Sequence, residues 1–175
     1  YKNDRFYIFI NALMKKLLFL ILVFPYLLQA QEVFPKITGH AGIVHALVTV
    51  SDGNASYNFN NSYTVSFPVA INIWKTNKIG FSFEAYPTIK NENGSHKMTN
   101  FTLHPGILYR FTPTFTFAGR AAFETSGRYG ITPVFTKVFK KNKFSNYYIA
   151  IPLPVRTGAD KPLSAALAVQ LGVSF

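Results

Sequence analysis

The chain has 175 residues, of which 49% are apolar and only 14% are charged, and it contains no cysteine. Disulfide-stapled mini-proteins and cysteine-ligated zinc or iron–sulfur sites are therefore excluded. The 18 Lys and Arg residues exceed the 7 Asp and Glu residues, but the 18 Phe and 10 Tyr residues argue against a disordered basic tail. The composition favours a single domain that buries or embeds a large apolar surface.

A secretory signal peptide is predicted for residues 14–30, where Met14-Lys15-Lys16 precedes an uncharged run that ends at Ala30. That run has 14 residues, fewer than the ~20 that a membrane-spanning helix needs. Residues 1–13 are interpreted as an upstream extension outside the fold. Cleavage after Ala30 would leave a domain of residues 31–175, with 14 Lys and Arg residues against 6 Asp and Glu residues, a net charge of +8.

Alternation of apolar and polar residues with a period of two recurs from about Thr38 to the end of the chain. Between Tyr63 and Ile73, for example, the odd positions are large and apolar while the even positions are small or polar. This period is typical of β-strands that have two different faces. Eight strands are predicted near residues 38–50, 62–74, 79–90, 100–111, 114–125, 129–139, 144–155 and 163–175.

The apolar faces of these strands carry Phe, Tyr and Ile on nearly every strand, whereas the opposite faces carry Gly, Ala, Ser and Thr with a few charges. So many large rings do not fit inside a small barrel, but they suit a wall that faces lipid. The pattern predicts an all-β fold, an eight-stranded antiparallel up-and-down transmembrane β-barrel. Its first, third, fifth and seventh connectors, near 52–61, 91–99, 126–128 and 157–162, are mostly the longer ones and are expected to be extracellular.

The last strand ends on an aromatic residue, with apolar residues at every second position before it: Phe175, Val173, Leu171 and Val169. This ending resembles the C-terminal signature of the bacterial outer-membrane β-barrels, here of the small eight-stranded porin-like type. The resemblance implies a Gram-negative outer membrane, reached by export through the inner membrane. It implies periplasmic chaperones, the barrel assembly machinery, membrane lipid and lipopolysaccharide as partners, and no cofactor. The frequent Phe, Asn and Lys residues suggest a Bacteroidota-type source.

Six prolines fall inside the predicted strands, namely Pro68, Pro87, Pro105, Pro133, Pro152 and Pro154. A closed barrel has no free edge on which a missing N–H is harmless, so bulges or gaps are expected near them. If the prolines instead mark strand ends, the alternative is a soluble exported β-barrel or β-sandwich that binds a small apolar ligand.

Four charged residues are predicted to face the lumen from adjacent strands, namely Glu84, Arg110, Arg120 and Glu124. Pairing Thr88 with Thr102, and Phe111 with Phe115, would place Glu84 and Arg120 opposite Gly106. An ion-pair network that fills the barrel is expected, because unpaired charges there would be costly. A charged constriction that selects ions needs a wider lumen than eight strands leave.

Aromatic residues at the strand ends predict two interfacial girdles, represented by Tyr63, Trp74, Tyr109, Phe111 and Tyr129.

The four histidines, at positions 40, 45, 96 and 104, have no spacing that suggests a metal site. Some small outer-membrane barrels modify lipid A with a Ser and a His on the lipid-facing wall. Here Ser95 and His96 are adjacent, with no acid at a recognisable spacing, so an enzyme is not predicted.

Five lysines, Lys75, Lys78, Lys140, Lys141 and Lys143, lie in predicted turns without a recognised nucleic-acid motif. Lipid headgroups or peptidoglycan-side partners are the expected contacts of these turns, and the polar segment 52–62 is the candidate for surface contacts. The function predicted for the chain is an integral outer-membrane protein with a structural or surface-interaction role and a filled, non-conducting or narrow lumen.

Overall fold

The computed structural model describes residues 34–60 and 62–175, so the predicted extension 1–13 and signal peptide 14–30 lie outside the described residues. None of the described residues forms a helix that is long and apolar enough to cross a membrane. The described chain is a succession of strands: β1 Lys36–Ser51, β2 Asn54–Tyr57, β3 Ser62–Ser66, β4 Val69–Trp74, β5 Ile79–Glu92, β6 Ser95–Thr112, β7 Phe115–Glu124, β8 Arg128–Lys141, β9 Asn146–Pro152, β10 Val155–Gly158 and β11 Lys161–Ser174.

The strands form one antiparallel sheet that closes into a ring, because β1 pairs with β11 from His40 opposite Ser174 to Ser51 opposite Ser164. Strands β3 and β4 lie end to end between β1 and β5, so they count as one strand position of the wall. Strands β9 and β10 likewise lie end to end between β8 and β11 and count as one position. Strand β2 folds back onto β1 and adds no position. The wall therefore has eight positions. The predicted eight-stranded barrel is confirmed, and the sandwich alternative is wrong because the sheet has no second layer.

The two interruptions of the wall coincide with prolines. Pro68 separates β3 from β4, and the Phe67 N–H beside it donates to the carbonyl of Pro87 on β5 (3.3 Å). Pro154 lies between β9 and β10, where the Leu153 N–H donates to the carbonyl of Pro133 on β8 (2.9 Å). Bulges or irregularities also shift the register in five of the strand pairs. Pro68 and Pro87 thus lie at one interruption, and Pro133 and Pro154 lie at the other. Pro105 instead pairs with Phe83 in the middle of β6.

The connector between β5 and β6 differs from the prediction of a long loop at 91–99. The strands continue to Glu92 and from Ser95, and they are joined by Asn93 (φ 50°) and Gly94 (φ 78°). Asn-Gly tolerates two left-handed residues in succession and therefore makes a tight hairpin. This turn sets the register as far as Ile89 opposite Met98, and a one-residue shift beside it then pairs Thr88 with Asn100 and not with the predicted Thr102.

The two faces of the wall have the predicted polarity. Inward-facing residues such as Ala70, Asn72 and Ser82 are buried, while the apolar residues between them are exposed. An exposed apolar side chain occurs at each of the eight wall positions, for example Ile43, Ile71, Phe83, Ile107, Phe123, Phe135, Ile149 and Leu171. The large apolar side chains are therefore outside the barrel, and polar and small side chains fill it.

Candidate functional site

The lumen is filled differently at its two ends. We call the end with connectors 75–78, 113–114 and 142–145 the turn end, and the opposite end the loop end. Near the turn end, six buried side chains pack together, and we call them the apolar plug: Trp74, Leu108, Ala118, Val134, Tyr148 and Ala150. The Trp74 indole N–H donates to Thr38 Oγ1 (3.2 Å), so the ring has both its apolar contacts and a polar partner.

Glu84 lies at the centre of a polar cluster beyond the plug and is only 3% exposed. Its Oε2 is 2.9 Å from His40 Nε2, and its Oε1 is 2.9 Å from His104 Nδ1. The guanidinium of Arg120 is 3.4 Å from the same Oε1 and also donates to Ser82 Oγ (3.3 Å). The carboxylate therefore has hydrogen-bond partners for both oxygens and a counter-charge, as a buried charge requires.

The partners of the two imidazoles assign their tautomers. The Glu84 carboxylate can only accept, so His104 Nδ1–H donates to it. In a neutral ring His104 Nε2 then accepts from the Thr132 hydroxyl (2.9 Å), whose oxygen accepts from Arg156 Nη1 (3.0 Å). Asn72 Nδ2 donates to His40 Nδ1 (3.3 Å), so His40 Nε2–H donates to Glu84. Neutral rings thus give all four imidazole nitrogens a partner, whereas Asn72 Oδ1 is buried without one among the described residues.

Arg156 connects Glu84 to a second carboxylate. Its Nε donates to Glu124 Oε1 (2.7 Å), while Nη1 donates to the carbonyls of Ile131 and Val155 (both 3.0 Å). We call the connected set the polar network: His40, Asn72, Ser82, Glu84, His104, Arg120, Glu124, Thr132 and Arg156. With neutral imidazoles it contains two carboxylates and two guanidiniums, so its charges balance.

Three of the four predicted lumen charges lie in this network, but Arg110 does not. Its Cζ lies 3.8 Å from the centroid of the Trp74 ring, and its Nη1 donates to the Asn77 carbonyl (3.2 Å). The prediction of one group of four charges is wrong for Arg110, because that residue is near the turn end of β6, where its backbone N–H bonds to Lys78. Its guanidinium covers the outer side of the plug.

Gly106 has a narrower role than predicted. It pairs with Ser82 and Arg120, whereas Glu84 pairs with His104. A Cβ at Gly106 would lie 2.5 Å from the Gly119 carbonyl oxygen and 2.6 Å from Arg120 Cγ. Gly106 therefore makes room for the Gly119 carbonyl and for Arg120, and Glu84 reaches Arg120 from the neighbouring pair of residues.

The sequence analysis did not identify His40 or Arg156 as members of the network. His40 was one of four scattered histidines, and it is 44 residues from Glu84 in the chain. Arg156 follows the break at Pro154, where the alternation of β9 is interrupted. Positions 152, 154 and 156 lie at every second residue, and Pro152 and Pro154 also line the cavity described below. This spacing is the only feature of the sequence that could have indicated that Arg156 faces the lumen.

Among the predicted girdle residues, Tyr109, Phe111 and Tyr129 are exposed on the outer face. Tyr63 is half-buried, with its hydroxyl 2.9 Å from His45 Nδ1. Trp74 is 5% exposed and lies in the lumen. The girdle prediction is wrong for Trp74 because it shares its face of β4 with Ala70 and Asn72, which are also buried.

A cavity of about 190 Å³ lies beside the polar network. Its walls are mostly hydroxyl-bearing or charged, including Thr64, Ser66, Tyr86, Thr88, Thr102, Glu84, Arg120, Glu124 and Arg156. Arg120 Nε is buried and has no hydrogen-bond partner. Such a cavity has room for about six waters. Within residues 34–60 and 62–175, no group of three or more His, Asp or Glu side chains is arranged to hold a metal ion.

The residues of the predicted assembly signal lie on or directly after the strand that closes the barrel. Val169, Leu171 and Val173 on β11 pair with His45, Ile43 and Ala41 on β1. Phe175 exchanges backbone hydrogen bonds with Gly39 (2.7 and 2.9 Å). The alternating residues thus complete the ring, and their recognition by an assembly machinery stays a prediction.

No protein-family model and no curated protein sequence matches the chain. Among solved structures, the chain is similar to Ail, the attachment invasion locus protein of Yersinia pestis, with 10% identity over 82% of this chain and 100% of that one (TM-score 0.53). It is also similar to the designed barrel TMB2.3, with 12% identity over 85% and 97% (TM-score 0.46), and to the outer membrane protein OprG of Pseudomonas aeruginosa, with 6% identity over 80% and 94% (TM-score 0.44). The likeness to Ail shows that the chain has the fold of the small eight-stranded outer-membrane β-barrels.

Proposed function

We propose that the chain is an integral protein of the bacterial outer membrane, with a lipid-facing wall and a lumen that conducts no ions. The observation that carries this proposal is the exposed apolar surface at all eight positions of the closed wall. A water-soluble protein rarely exposes a continuous apolar surface of this kind, whereas the outer face of a membrane barrel requires one.

The filling of the lumen supports the absence of conduction. The apolar plug occupies the turn end, where Trp74, Leu108 and Tyr148 are each at most 5% exposed. The polar network occupies the middle, where Glu84 forms an ion pair with Arg120 and hydrogen bonds with His40 and His104. An eight-stranded barrel has an interior that its side chains can fill, or that leaves space for one small ligand, but no open channel. A hydrated ion therefore has no continuous path.

The surface at the loop end supports a structural or surface-interaction role. The β1–β2 hairpin and the residues after it lie at the loop end and expose Tyr57 and Phe59. These rings lie within the segment 52–62, where contacts were expected from the sequence. Ser95 and His96 are exposed at the start of β6. In the described part of the chain, no side-chain hydrogen bond joins the two residues. A binding role without catalysis therefore suits this end better than lipid modification.

Fractionation of cells that express the full chain tests the location. We expect the protein to remain in the outer-membrane pellet after a carbonate wash, because its apolar wall has no aqueous partner. We also expect an unboiled sample to migrate faster than a boiled one on a detergent gel, because the closed ring resists unfolding. Release of a folded protein into the soluble fraction would contradict the proposal and would mean that another protein covers the apolar face.

A further inference from the structure

Charged residues are distributed unevenly along the barrel axis. In the described part of the chain, the acidic residues lie in the lumen or near the loop end: Asp52, Glu84, Glu92, Glu124 and Asp160. The strand ends and connectors at the turn end carry basic residues and no Asp or Glu: Lys36, Lys75, Lys78, Arg110, Lys137, Lys140, Lys141 and Lys143. The turn end is therefore strongly positive.

The loop end has basic residues too, but acidic residues lie among them: Lys90, Lys97, Arg128 and Lys161 occur there with Asp52, Glu92 and Asp160. Lys90 forms an ion pair with Glu92 (2.9 Å). Arg128 is held by the carbonyls of Arg156 and Pro162 (3.1 and 3.0 Å). A surface that attracts anions is thus found at one end of the barrel.

The highest density of positive charge lies on the hairpin formed by β8 and β9, and we call residues 137–147 the basic hairpin. Strand β8 continues past its neighbour β7: Lys137 pairs with Phe115, the first residue of β7, and β8 extends four residues further to Lys141. The Val138 N–H donates to Thr114 (2.8 Å) in the adjacent turn. The hairpin therefore extends past β7, whereas on its other side Asn146 pairs with Ser174 of β11.

Exposed aromatic rings lie among these lysines. Phe139 is 62% exposed and Phe144 is 81% exposed. Lys143 Nζ lies 5.1 Å from the centroid of the Phe144 ring, and Lys140 Nζ lies 5.8 Å from that of Tyr147. Rings at this level of a barrel wall fit the boundary between hydrocarbon and headgroups, and a lysine whose stem lies along such a surface extends its ammonium group into the headgroup layer.

We propose that the basic hairpin, with the other lysines of the turn end, binds the phosphate groups of anionic phospholipids such as phosphatidylglycerol. This inference rests on the proposed function, because the lysines reach headgroups only when the wall lies in a bilayer. The aromatic residues favour lipid over peptidoglycan, since a ring exposed as fully as Phe144 gains more from an apolar boundary than from a hydrated polymer. The leaflet concerned is the one at the turn end.

Electron paramagnetic resonance with spin-labelled lipids tests both proposals separately. The full chain is reconstituted in phosphatidylcholine bilayers with trace amounts of labelled phosphatidylcholine or labelled phosphatidylglycerol. A motionally restricted component with labelled phosphatidylcholine shows that the wall contacts lipid. We expect labelled phosphatidylglycerol to associate about fivefold more strongly, and we expect this preference to decrease as salt screens the lysines.

Two variants with equal loss of charge locate the preference. Replacing Lys140, Lys141 and Lys143 by Gln is expected to reduce the preference to about twofold or less. The matched control replaces Lys90, Lys97 and Lys161 by Gln at the loop end and is expected to retain the full preference. Both variants must migrate as folded barrels in unboiled samples. The salt dependence of the unmodified protein provides a test that does not depend on either variant.

The outcomes are distinct. The absence of a restricted component with either lipid would overturn the proposed function itself. A restricted component without any preference for phosphatidylglycerol would overturn the inference about the basic hairpin alone. Equal losses in the two variants would also overturn it, since the preference would then come from total charge. Peptidoglycan binding is a further outcome that would overturn the inference. It would be indicated if phosphatidylglycerol is not preferred and if sedimenting peptidoglycan sacculi carry down the unmodified protein but not the variant that lacks Lys140, Lys141 and Lys143.

Discussion

The two halves of the lumen are held together by different interactions. The apolar plug is stabilised by burial and close packing, with Trp74 as its largest member. The polar network is stabilised by hydrogen bonds and ion pairs that converge on Glu84. A packed cluster loses stability in proportion to the volume removed, whereas a buried network loses most when one member leaves its partners uncompensated. The two halves are therefore expected to respond differently to substitution.

The largest effect is expected at the centre of the network. Glu84→Ala would leave Arg120 as a buried charge without its carboxylate and would remove a partner from both His40 and His104. A loss of about 3–5 kcal/mol in the free energy of unfolding is expected, measured by urea unfolding in lipid vesicles. The control is Glu92→Ala, which removes an exposed ion pair with Lys90 and is expected to cost about 1 kcal/mol or less. Similar losses in both variants would show that the network does not stabilise the lumen.

Truncation of the plug is expected to have a somewhat smaller effect on stability and a distinct effect on conduction. Trp74→Ala removes the largest ring of the plug and the platform under Arg110, at a cost of about 3 kcal/mol. It also opens the turn end of the lumen, so rare small conductance steps are expected in planar bilayers, where the unmodified protein is expected to be silent. Steady conductance from the unmodified protein would contradict the plugged lumen.

Gly106 offers a matched pair of small substitutions. In Gly106→Ala, the new Cβ would meet the Gly119 carbonyl oxygen at 2.5 Å, whereas in Gly119→Ala the nearest contact would be a side-chain atom of Phe117 at 3.5 Å. The first substitution is expected to cost about 1–3 kcal/mol by overpacking, and the second less than about 1 kcal/mol. Equal losses in the free energy of unfolding would contradict this explanation. They would mean that the close contacts at Gly106, including the one with the Arg120 side chain, are not the reason for a glycine at this position.

The smallest effect is expected on the outer face. Tyr63→Phe removes the hydroxyl that lies 2.9 Å from His45 Nδ1, but it keeps the ring against Phe59 (centroids 5.0 Å apart). The expected loss is about 1 kcal/mol, the usual net contribution of one hydrogen bond, measured by the same unfolding assay. A loss as large as that of Glu84→Ala would mean that this outer pair, and not the lumen, dominates stability.

The strands and their faces could be predicted from the sequence because an alternation of two residues is a local property. The position of Trp74 could also have been predicted, since it has the same parity as Ala70 and Asn72 on its strand. The register of β5 with β6 depended on identifying Asn93-Gly94 as a tight turn, and the polar residues around it suggested a longer loop instead.

The membership of the polar network could not be predicted in the same way. His40 reaches Glu84 across 44 residues of chain, and Arg156 reaches Glu124 across 32. Such contacts depend on ring closure and on the register of several strand pairs together. No short segment contains that information.

The polarity of the wall is the central claim, and site-directed spin labelling tests it most directly. Because the chain has no cysteine, single substitutions of successive residues along β5, from Gly80→Cys to Ala85→Cys, give one label each in a lipid bilayer. The account predicts that labels at positions 81, 83 and 85 collide frequently with oxygen and rarely with a water-soluble nickel complex, as in lipid. Labels at positions 80, 82 and 84 are predicted to be shielded from oxygen. The reverse alternation, or none, would contradict a wall that faces lipid with its apolar side.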